Sequence, residues 1–335
     1  MPDRPLANPV KTQVSYASLL HNTGFGEAVG LAARINAWRV LLRSHGAQLL
    51  LCHHAPTAAV AARSLDIPVC YIGSGFMVPP LRTPFPSFRI DMRIDDGVLR
   101  QNEAHVLENL NRALEILELD PYADLQCIYR GGRPAMLSYR QTDHYGVDRP
   151  EVALGLPDFS HGAAPAWPAG GGPRIFAYLR PVPQLEQVLE GLRDCRARVL
   201  LRLSAVPRDS VTPFLRPGIT LVEGPLNFAR AAEECDAFVT YSPHSTVVEC
   251  LLAGKPGVLI PDNQERTLVT WRAVRMGAGV GLTGPTVAAF VPVLHQVLED
   301  PSYTAAAQRF AAEVSHIDRK AILPDLLDCA LADIA

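Results

Sequence analysis

The sequence lacks the features that mark several common classes of protein. It contains no run of 18 uncharged apolar residues, so no transmembrane helix is expected. Lys and Arg total 31 against 34 Asp and Glu, and no basic run has the density of a nucleic-acid-binding surface, so no nucleic-acid partner is predicted. No acidic cluster has the spacing of metal ligands, and neither a metal nor a cofactor is expected.

Cysteine is scattered and forms no motif. The chain has seven cysteines, an odd number, without a CxxC pair or a Cys/His cluster. Most of them lie in apolar runs, as buried free thiols do. Since the first residues are polar and Pro-rich, unlike a signal peptide, the pattern predicts a reducing, cytoplasmic location.

The sequence does contain a regular alternation of short β-rich runs and helical patterns. Its 335 residues, 48% hydrophobic and 19% charged, suit a globular α/β protein of about two domains. Strands separated by single helices imply parallel sheets. The predicted strands are 48–52, 68–72, 134–139, 151–154, 174–179, 197–202, 218–222, 237–241, 257–260 and 279–282.

A Pro-, Gly- and Ala-rich stretch divides the chain. It predicts a first domain over residues 1–157, a linker over 158–173, and a second domain over 174–335 that includes a C-terminal helix. A doubly wound sheet needs five or six strands, and the first half has only two strong ones. We therefore expect an α/β protein of two Rossmann-like domains, the first of them incomplete.

Residues 241–249, YSPHSTVVE, join a predicted strand to an apolar helix predicted at 246–253. The amino end of such a helix favours an anion, and Ser242, Ser245 and Thr246 can add hydroxyl donors. Alternatively, Thr246 and Glu249 form a T-x-x-E capping box that structure alone explains. Spacing by itself favours the capping box, because caps are far commoner than phosphate sites.

The surrounding segment carries more information than the loop alone. It reads CDAFVTYSPHSTVVECLLAGKPGVLIPDNQER over about thirty residues. This resembles the donor-site segment of nucleotide-sugar-dependent glycosyltransferases with two Rossmann domains (GT-B), in the UDP-glycosyltransferase-like family. The family pattern is Cys-Asp, a strand, His-Gly-Gly-x-Gly-Thr, Glu, Ala-Gly-x-Pro, and a strand ending in Pro before an acidic-Gln pair. The matching positions are Asp236, Thr246, Glu249, Ala253, Gly254, Pro256, Pro261 and Glu265.

The resemblance covers most of the chain but not the family's N-terminal portion, and it implies a set of site residues. In the second domain, Gly224 and Leu226 would bracket a nucleobase, Glu249 would bind ribose hydroxyls and Glu265 sugar hydroxyls. A simple turn and a charge at the start of a helix remain the structural alternatives. In the first domain, the implied acceptor-side residues are Gly73, Ser74, Gly75 and Phe76, for which turn and core roles stay open.

The sequence departs from the family where the phosphate would bind. The family's His falls at Tyr241, two of its glycines at Ser242 and Pro243, and the third at Ser245. Proline removes one backbone donor from any phosphate-binding loop. The family's Gln falls at Arg266. His244 is expected either to enter the site as a compensating imidazolium or to be an exposed loop residue.

Catalytic residues are the weakest part of the match. The segment that carries the family's basic His is not found, and the position of its Asp partner falls at His53. This residue is a candidate general base, with a capping or packing role as the alternative. The implied function is transfer of a sugar from a nucleotide sugar, such as a UDP-sugar, to a small-molecule or lipid acceptor. One alternative function stays open, that of a non-catalytic binding relative or partner subunit. Separately, a homodimer that covers an open sheet edge is possible.

Overall fold

The computed structural model of the chain describes residues 9–149, 153–158 and 160–331. The chain divides into two compact units. Unit 1 comprises residues 1–138, 145–155 and 321–335, and unit 2 comprises residues 139–144 and 156–320.

Unit 1 contains a small parallel sheet with helices. Its strands among the described residues are β1 (Leu50–Cys52), β2 (Val69–Gly73) and β3 (Arg133–Met136), in the order β1-β2-β3. Its helices are α1 (Tyr16–Leu20), α2 (Ala28–Ser44), α3 (Pro56–Arg63), α4 (Asp96–Ile116) and α11 (Ile322–Leu331). The predicted strand 134–139 is present as β3, which is shorter. Only Ala153 and Leu154 of the predicted strand 151–154 are described, and Ala153 forms an isolated β-bridge with Met136. The first domain therefore has the small sheet that was expected.

Helix α11 is the point at which the predicted domains need correction. Residues 174–335 were assigned to the second domain, but Ala321 and helix α11 belong to unit 1. Alternate residues of β2 face opposite sides of the sheet, so Val69 and Tyr71 enter the main core while Cys70 faces the other side. Ala330 of α11 packs on this second face.

Unit 2 contains a larger, doubly wound parallel sheet. Its strands in the described part are β4 (Arg174–Leu179), β5 (Arg198–Leu203), β6 (Ile219–Val222), β7 (Ala237–Thr240), β8 (Gly257–Leu259) and β9 (Gly279–Gly281). The helices are α5 (Leu185–Asp194), α6 (Phe228–Glu234), α7 (His244–Leu252), α8 (Gln264–Arg275), α9 (Phe290–Glu299) and α10 (Pro301–Val314). The predicted strands of this domain are confirmed, with ends that differ by at most one residue.

The central strands of this sheet are buried on both faces, which explains why β4, β5 and β7 each contain at least three consecutive apolar residues. Ala177 of β4 and Leu201 of β5 pack in one layer with α5 and α9. Phe176 and Leu200, their neighbours along the strands, pack in the other layer with α6, α7 and α10. The sheet is therefore a rigid support for the loops at its carboxyl edge.

Three other features bear on the sequence-based expectations. Among the cysteines whose side chains the structure describes, six are free, and all of these except Cys127 are buried. In the described part of the chain, no helix has the length and apolar character needed to cross a bilayer. The same residues contain no group of three His, Cys, Asp or Glu side chains arranged to hold a metal ion.

Candidate functional site

The strand order in the sheet of unit 2 reverses between β4 and β7. Its order is β6-β5-β4-β7-β8-β9, so the chain returns to the centre of the sheet after β6. Loops that leave the carboxyl ends of β4 and β7 run in opposite directions, and ligands of parallel α/β sheets bind in the crevice between such loops.

A cavity of about 440 Å³ lies at this position, within the size range of small-molecule sites. It is built entirely from residues of unit 2. They are Leu156, His161, Tyr178, Arg202, Gly224, Pro225, Leu226, Phe228, Ala229, Tyr241, Pro243, Ser245, Thr246 and Glu249. The cavity thus brings together six of the predicted donor-binding residues, Gly224, Leu226, Tyr241, Ser245, Thr246 and Glu249.

Three aromatic rings form one wall of the cavity. The rings of Tyr178 and Phe228 meet edge to face with centroids 5.0 Å apart, and Tyr178 meets Tyr241 in the same way at 5.2 Å. Aromatic faces next to a few polar groups are typical of sites for a base or a sugar ring.

The turn before α6 forms another wall. Gly224 has a φ of +121°, and a Cβ added there would meet no atom within 4 Å, so the backbone borders open space. The predicted linker is fixed to this turn, because Ala163 N–H donates to Pro225 O at 2.9 Å and Asn227 N–H donates to Ala163 O at 2.9 Å. The linker therefore belongs to the site, and it places His161 on the lining.

The start of α7 differs from the sequence-based expectation. The helix begins at His244, two residues before the predicted start, with Pro243 as N-cap and no side-chain cap. The T-x-x-E capping box is therefore wrong. Ser242 has a φ of +67°, a left-handed conformation that suits glycine, and its buried hydroxyl oxygen accepts from Thr270 Oγ1 at 2.8 Å. Ser242 does not line the cavity.

Glu249 lies on the cavity wall in a two-pronged ion pair. Arg319 donates from Nη1 to Oε1 at 3.0 Å and from Nη2 to Oε2 at 2.6 Å. The same guanidinium donates from Nε to Leu156 O at 2.9 Å. Such a fork holds the carboxylate in one orientation while each oxygen keeps a free lone pair for a further donor.

Comparisons with known proteins agree with this architecture. No protein-family model and no curated protein matches the chain. Among solved structures, spinosyn rhamnosyltransferase SpnG is 15% identical with a TM-score of 0.69, over 93% of this chain and 81% of SpnG. Glycosyltransferase VinC, in complex with dTDP, is 15% identical with a TM-score of 0.65, over 95% and 79%. Glycosyltransferase SnogD from Streptomyces nogalater is 18% identical with a TM-score of 0.60, over 95% and 86%.

The chain has the GT-B fold. This confirms the fold class predicted from the donor-site segment, two Rossmann-like domains with parallel sheets.

Within this GT-B chain, His244 is not an exposed loop residue. It is the first residue of α7, 8% exposed, and its ring stacks on that of His144 with centroids 5.1 Å apart. Burial and the neighbouring His144 lower the pKa of His244 well below its usual value. Its ring is therefore neutral near pH 7, and the imidazolium expected to compensate the phosphate site is not formed.

Glu265 lies in the first turn of α8 and does not line the cavity. Its Oε1 is 3.1 Å from Nε2 of His144, a fully buried side chain. The backbone carbonyl next to this histidine, that of Asp143, accepts from Arg272 Nε at 2.6 Å. Glu265 thus combines a position favourable to the helix dipole with an ordered His partner.

Two charged guanidiniums lie close to the ring of Tyr241, and the phenol itself is neutral. The guanidinium carbon of Arg266 lies 4.7 Å from the ring centroid and that of Arg180 lies 5.7 Å from it. Burial raises the pKa of Tyr241, so the phenol keeps its proton and can donate a hydrogen bond.

In unit 1, the predicted acceptor-side residues follow β2, and His53 follows the neighbouring strand β1. A Cβ added to Gly73 would lie 3.3 Å from Cδ2 of His53, so these two residues are adjacent. His53 is exposed, as a general base must be to reach a substrate. Phe76 is 7% exposed and lies near the rings of Phe88 and Tyr145, which favours its core role.

Sequence reasoning missed several residues that the structure brings to the site, among them Tyr178, Arg202, Phe228, His161 and Arg319. Tyr178 and Arg202 lie at the next-to-last positions of β4 and β5, where side chains reach the carboxyl edge. The next-to-last position of a predicted strand could therefore have indicated a candidate site residue. A larger cavity of about 580 Å³ lies at the opposite, amino edge of the sheet. Its lining includes the motif positions Asp236, Ala253 and Gly254, but none of the residues predicted to bind donor or acceptor.

The conformation of Ser242 leads to a prediction about stability. Ser242→Gly and Ser242→Ala both remove the hydroxyl that pairs with Thr270, and they differ in the Cβ at positive φ. We expect the glycine variant to be more stable than the alanine variant by about 1 kcal/mol in urea unfolding. Equal stabilities would show that the left-handed backbone carries no strain.

The ion pair of Glu249 leads to a second prediction. Arg319→Ala leaves a half-buried carboxylate without its partner and should lower the free energy of unfolding by about 3 kcal/mol. The matched control is Arg208→Ala, because Arg208 forms an exposed pair with Glu223 and should cost less than about 1 kcal/mol. Similar losses for both variants in chemical denaturation would contradict the assignment.

The neutral ring of His244 leads to a third prediction. In the unfolded chain its pKa returns to about 6.5, so the unfolded state binds the proton more tightly and stability falls as pH decreases. Between pH 7 and pH 5.5 this group should cost about 1 kcal/mol. Urea unfolding of His244→Asn should show a shallower loss, whereas His316→Asn, an exposed control, should follow the wild type. Parallel curves for the wild type and His244→Asn would contradict the prediction.

Proposed function

We propose that this chain binds a nucleoside diphosphate sugar in the cavity of unit 2 and transfers the sugar to an acceptor hydroxyl. The observation that carries the proposal is the position of that cavity. In a chain with the GT-B fold, it lies at the reversal of strand order and is bordered by aromatic rings, an ordered carboxylate and the amino end of α7.

Each part of the nucleotide has a matching group. The base would lie between the Gly224–Leu226 turn and the rings of Tyr178 and Phe228. Ribose hydroxyls would donate to the carboxylate of Glu249. The diphosphate would face the amino end of α7, where Ser245 and Thr246 line the cavity. VinC, a structural neighbour, is a complex with dTDP, which supports a pyrimidine nucleotide such as UDP or dTDP.

The proposed reaction is a displacement at the anomeric carbon. The acceptor oxygen forms a bond to this carbon, the bond from carbon to the diphosphate oxygen breaks, and the acceptor proton is released. His53 is the proposed base for this proton, and residues 73–76 are the proposed acceptor side. Hydroxyl donors and the helix dipole at the start of α7 would stabilise the departing diphosphate.

A second candidate is a non-catalytic relative or partner subunit that binds a nucleotide sugar without transferring it. Pro243 supplies no N–H at the N-cap, and the buried His244 is neutral near pH 7. Both features weaken stabilisation of a leaving group. Binding without turnover would favour this candidate.

The test is to block the cavity with a bulky side chain and to measure binding by calorimetry. Ser245 is exposed, lies second in α7 and lines the cavity, so Ser245→Trp should fill the site. Ser302 is the matched control, because it is exposed and lies second in α10. With UDP, dTDP and their sugar conjugates as ligands, Ser245→Trp should weaken binding at least about tenfold, while Ser302→Trp should bind as the wild type does.

Binding by calorimetry, together with an assay for release of the nucleoside diphosphate, separates the transferase from the non-catalytic relative. Release of the nucleoside diphosphate with an acceptor panel supports the transferase, whereas binding without release supports the non-catalytic relative. Failure of the wild type to bind any nucleotide, or equal binding by Ser245→Trp, would contradict the proposed site.

A further inference from the structure

Three charged side chains surround Tyr241 at the carboxyl edge of the sheet. Arg180 directly follows β4, Tyr241 directly follows β7, and Asp262 lies three residues after β8. These three strands are adjacent and parallel, so their carboxyl ends meet at one edge. Arg266 joins the group from the first turn of α8. The whole cluster therefore lies beside a ring that lines the cavity.

The cluster has a net positive charge. Arg180 and Arg266 contribute two cations, and Asp262 contributes one anion. The Oδ1 atom of Asp262 accepts from Arg266 Nη1, while its Oδ2 atom lies 3.6 Å from Arg180 Nε. One carboxylate thus holds two guanidiniums, and it leaves most of their N–H donors for another acceptor.

The turn that leads into α7, residues 242–244, is a poor anion site by itself. Pro243 has no N–H, the hydroxyl of Ser242 is fully buried where it accepts from Thr270 Oγ1, and His244 is buried beside His144. A diphosphate carries several negative charges, and its binding requires cations or many directed N–H donors. Arg180 and Arg266 do not line the cavity themselves, but they lie against Tyr241, which does, and they supply both cations and N–H donors. A guanidinium fork matches phosphate oxygens in pairs.

We infer that Arg180 and Arg266 bind the diphosphate of the nucleotide, and that Asp262 is an internal counter-ion that holds both guanidiniums in place. The inference rests on the proposed function and assigns its phosphate contacts to side chains. In the family that the donor-site segment resembles, a histidine and a glycine-rich loop lie at this position. In this chain, two guanidiniums beside Tyr241 supply positive charge and N–H donors. Asp262 orders both arginines but competes with the diphosphate for them.

The test compares diphosphates with uncharged nucleosides. Calorimetry is run with UDP, dTDP, uridine and thymidine on the wild type, Arg180→Gln, Arg266→Gln and Asp262→Asn. Each arginine variant should bind UDP and dTDP about tenfold more weakly, with little change for the nucleosides. Asp262→Asn removes the competing anion and should bind the diphosphates several-fold more tightly.

The matched controls are Arg193→Gln and Asp194→Asn, an exposed ion pair of α5 with the same changes of charge. Both should bind as the wild type does, and thermal unfolding should show that every variant is folded. The dependence of UDP binding on salt should be shallower for Arg266→Gln than for Arg193→Gln, because fewer charge contacts remain.

Four results would overturn the inference. The first is wild-type UDP affinity in both arginine variants, which leaves the proposed function intact. The second is an equal loss of UDP and uridine binding, which would indicate a collapsed site. The third is weaker UDP binding by Asp262→Asn. The fourth is failure of the wild type to bind any nucleoside diphosphate, which would contradict the proposed function as well.

Discussion

The candidate site depends on one constraint, the reversal of strand order between β4 and β7. Parallel hydrogen bonding fixes the register of these strands, with Tyr178 opposite Thr240, so the residues that follow them are placed with little freedom. Cores on both faces hold the sheet rigid. Tyr178, Tyr241 and the start of α7 meet at one edge for this reason, and the cavity follows from the topology.

Full charges in this region are carried by side chains. The left-handed residue before α7 is a serine with its hydroxyl oxygen bonded inside the protein, and the N-cap is a proline. Arginines surround the same point: Arg319 orients Glu249, and Arg180 and Arg266 lie against Tyr241. Because guanidiniums are directional and permanently charged, they can replace a glycine-rich loop without a change of fold.

Much of the fold could be predicted from the sequence because strands buried on both faces contain continuous apolar stretches. Strand 174–179 was predicted with its exact ends, and the alternation of strands and helices fixed the parallel topology. Helix α7 was started two residues late, because a Thr-x-x-Glu spacing is ambiguous when a proline can itself be the N-cap. Helix α11 was assigned to the wrong unit, since no local signal tells which sheet face an apolar helix will cover.

The site was less predictable than the fold, and the reason is sequence distance. The partner of Glu249 is Arg319, 70 residues away, and the linker that carries His161 is fixed to a turn more than 60 residues later. Such pairs arise only in the folded chain. His244 looked exposed because it follows a proline in a polar loop, and its stacking on His144 arises only in the folded chain.

The most direct test of the central claim is a crystal structure of the chain grown with UDP. We expect density for the base near Leu226 and Tyr178, and for the diphosphate between the start of α7 and Tyr241. Nucleotide density in the cavity at the amino edge of the sheet, or bound UDP with no contact to β4 or β7, would contradict the account.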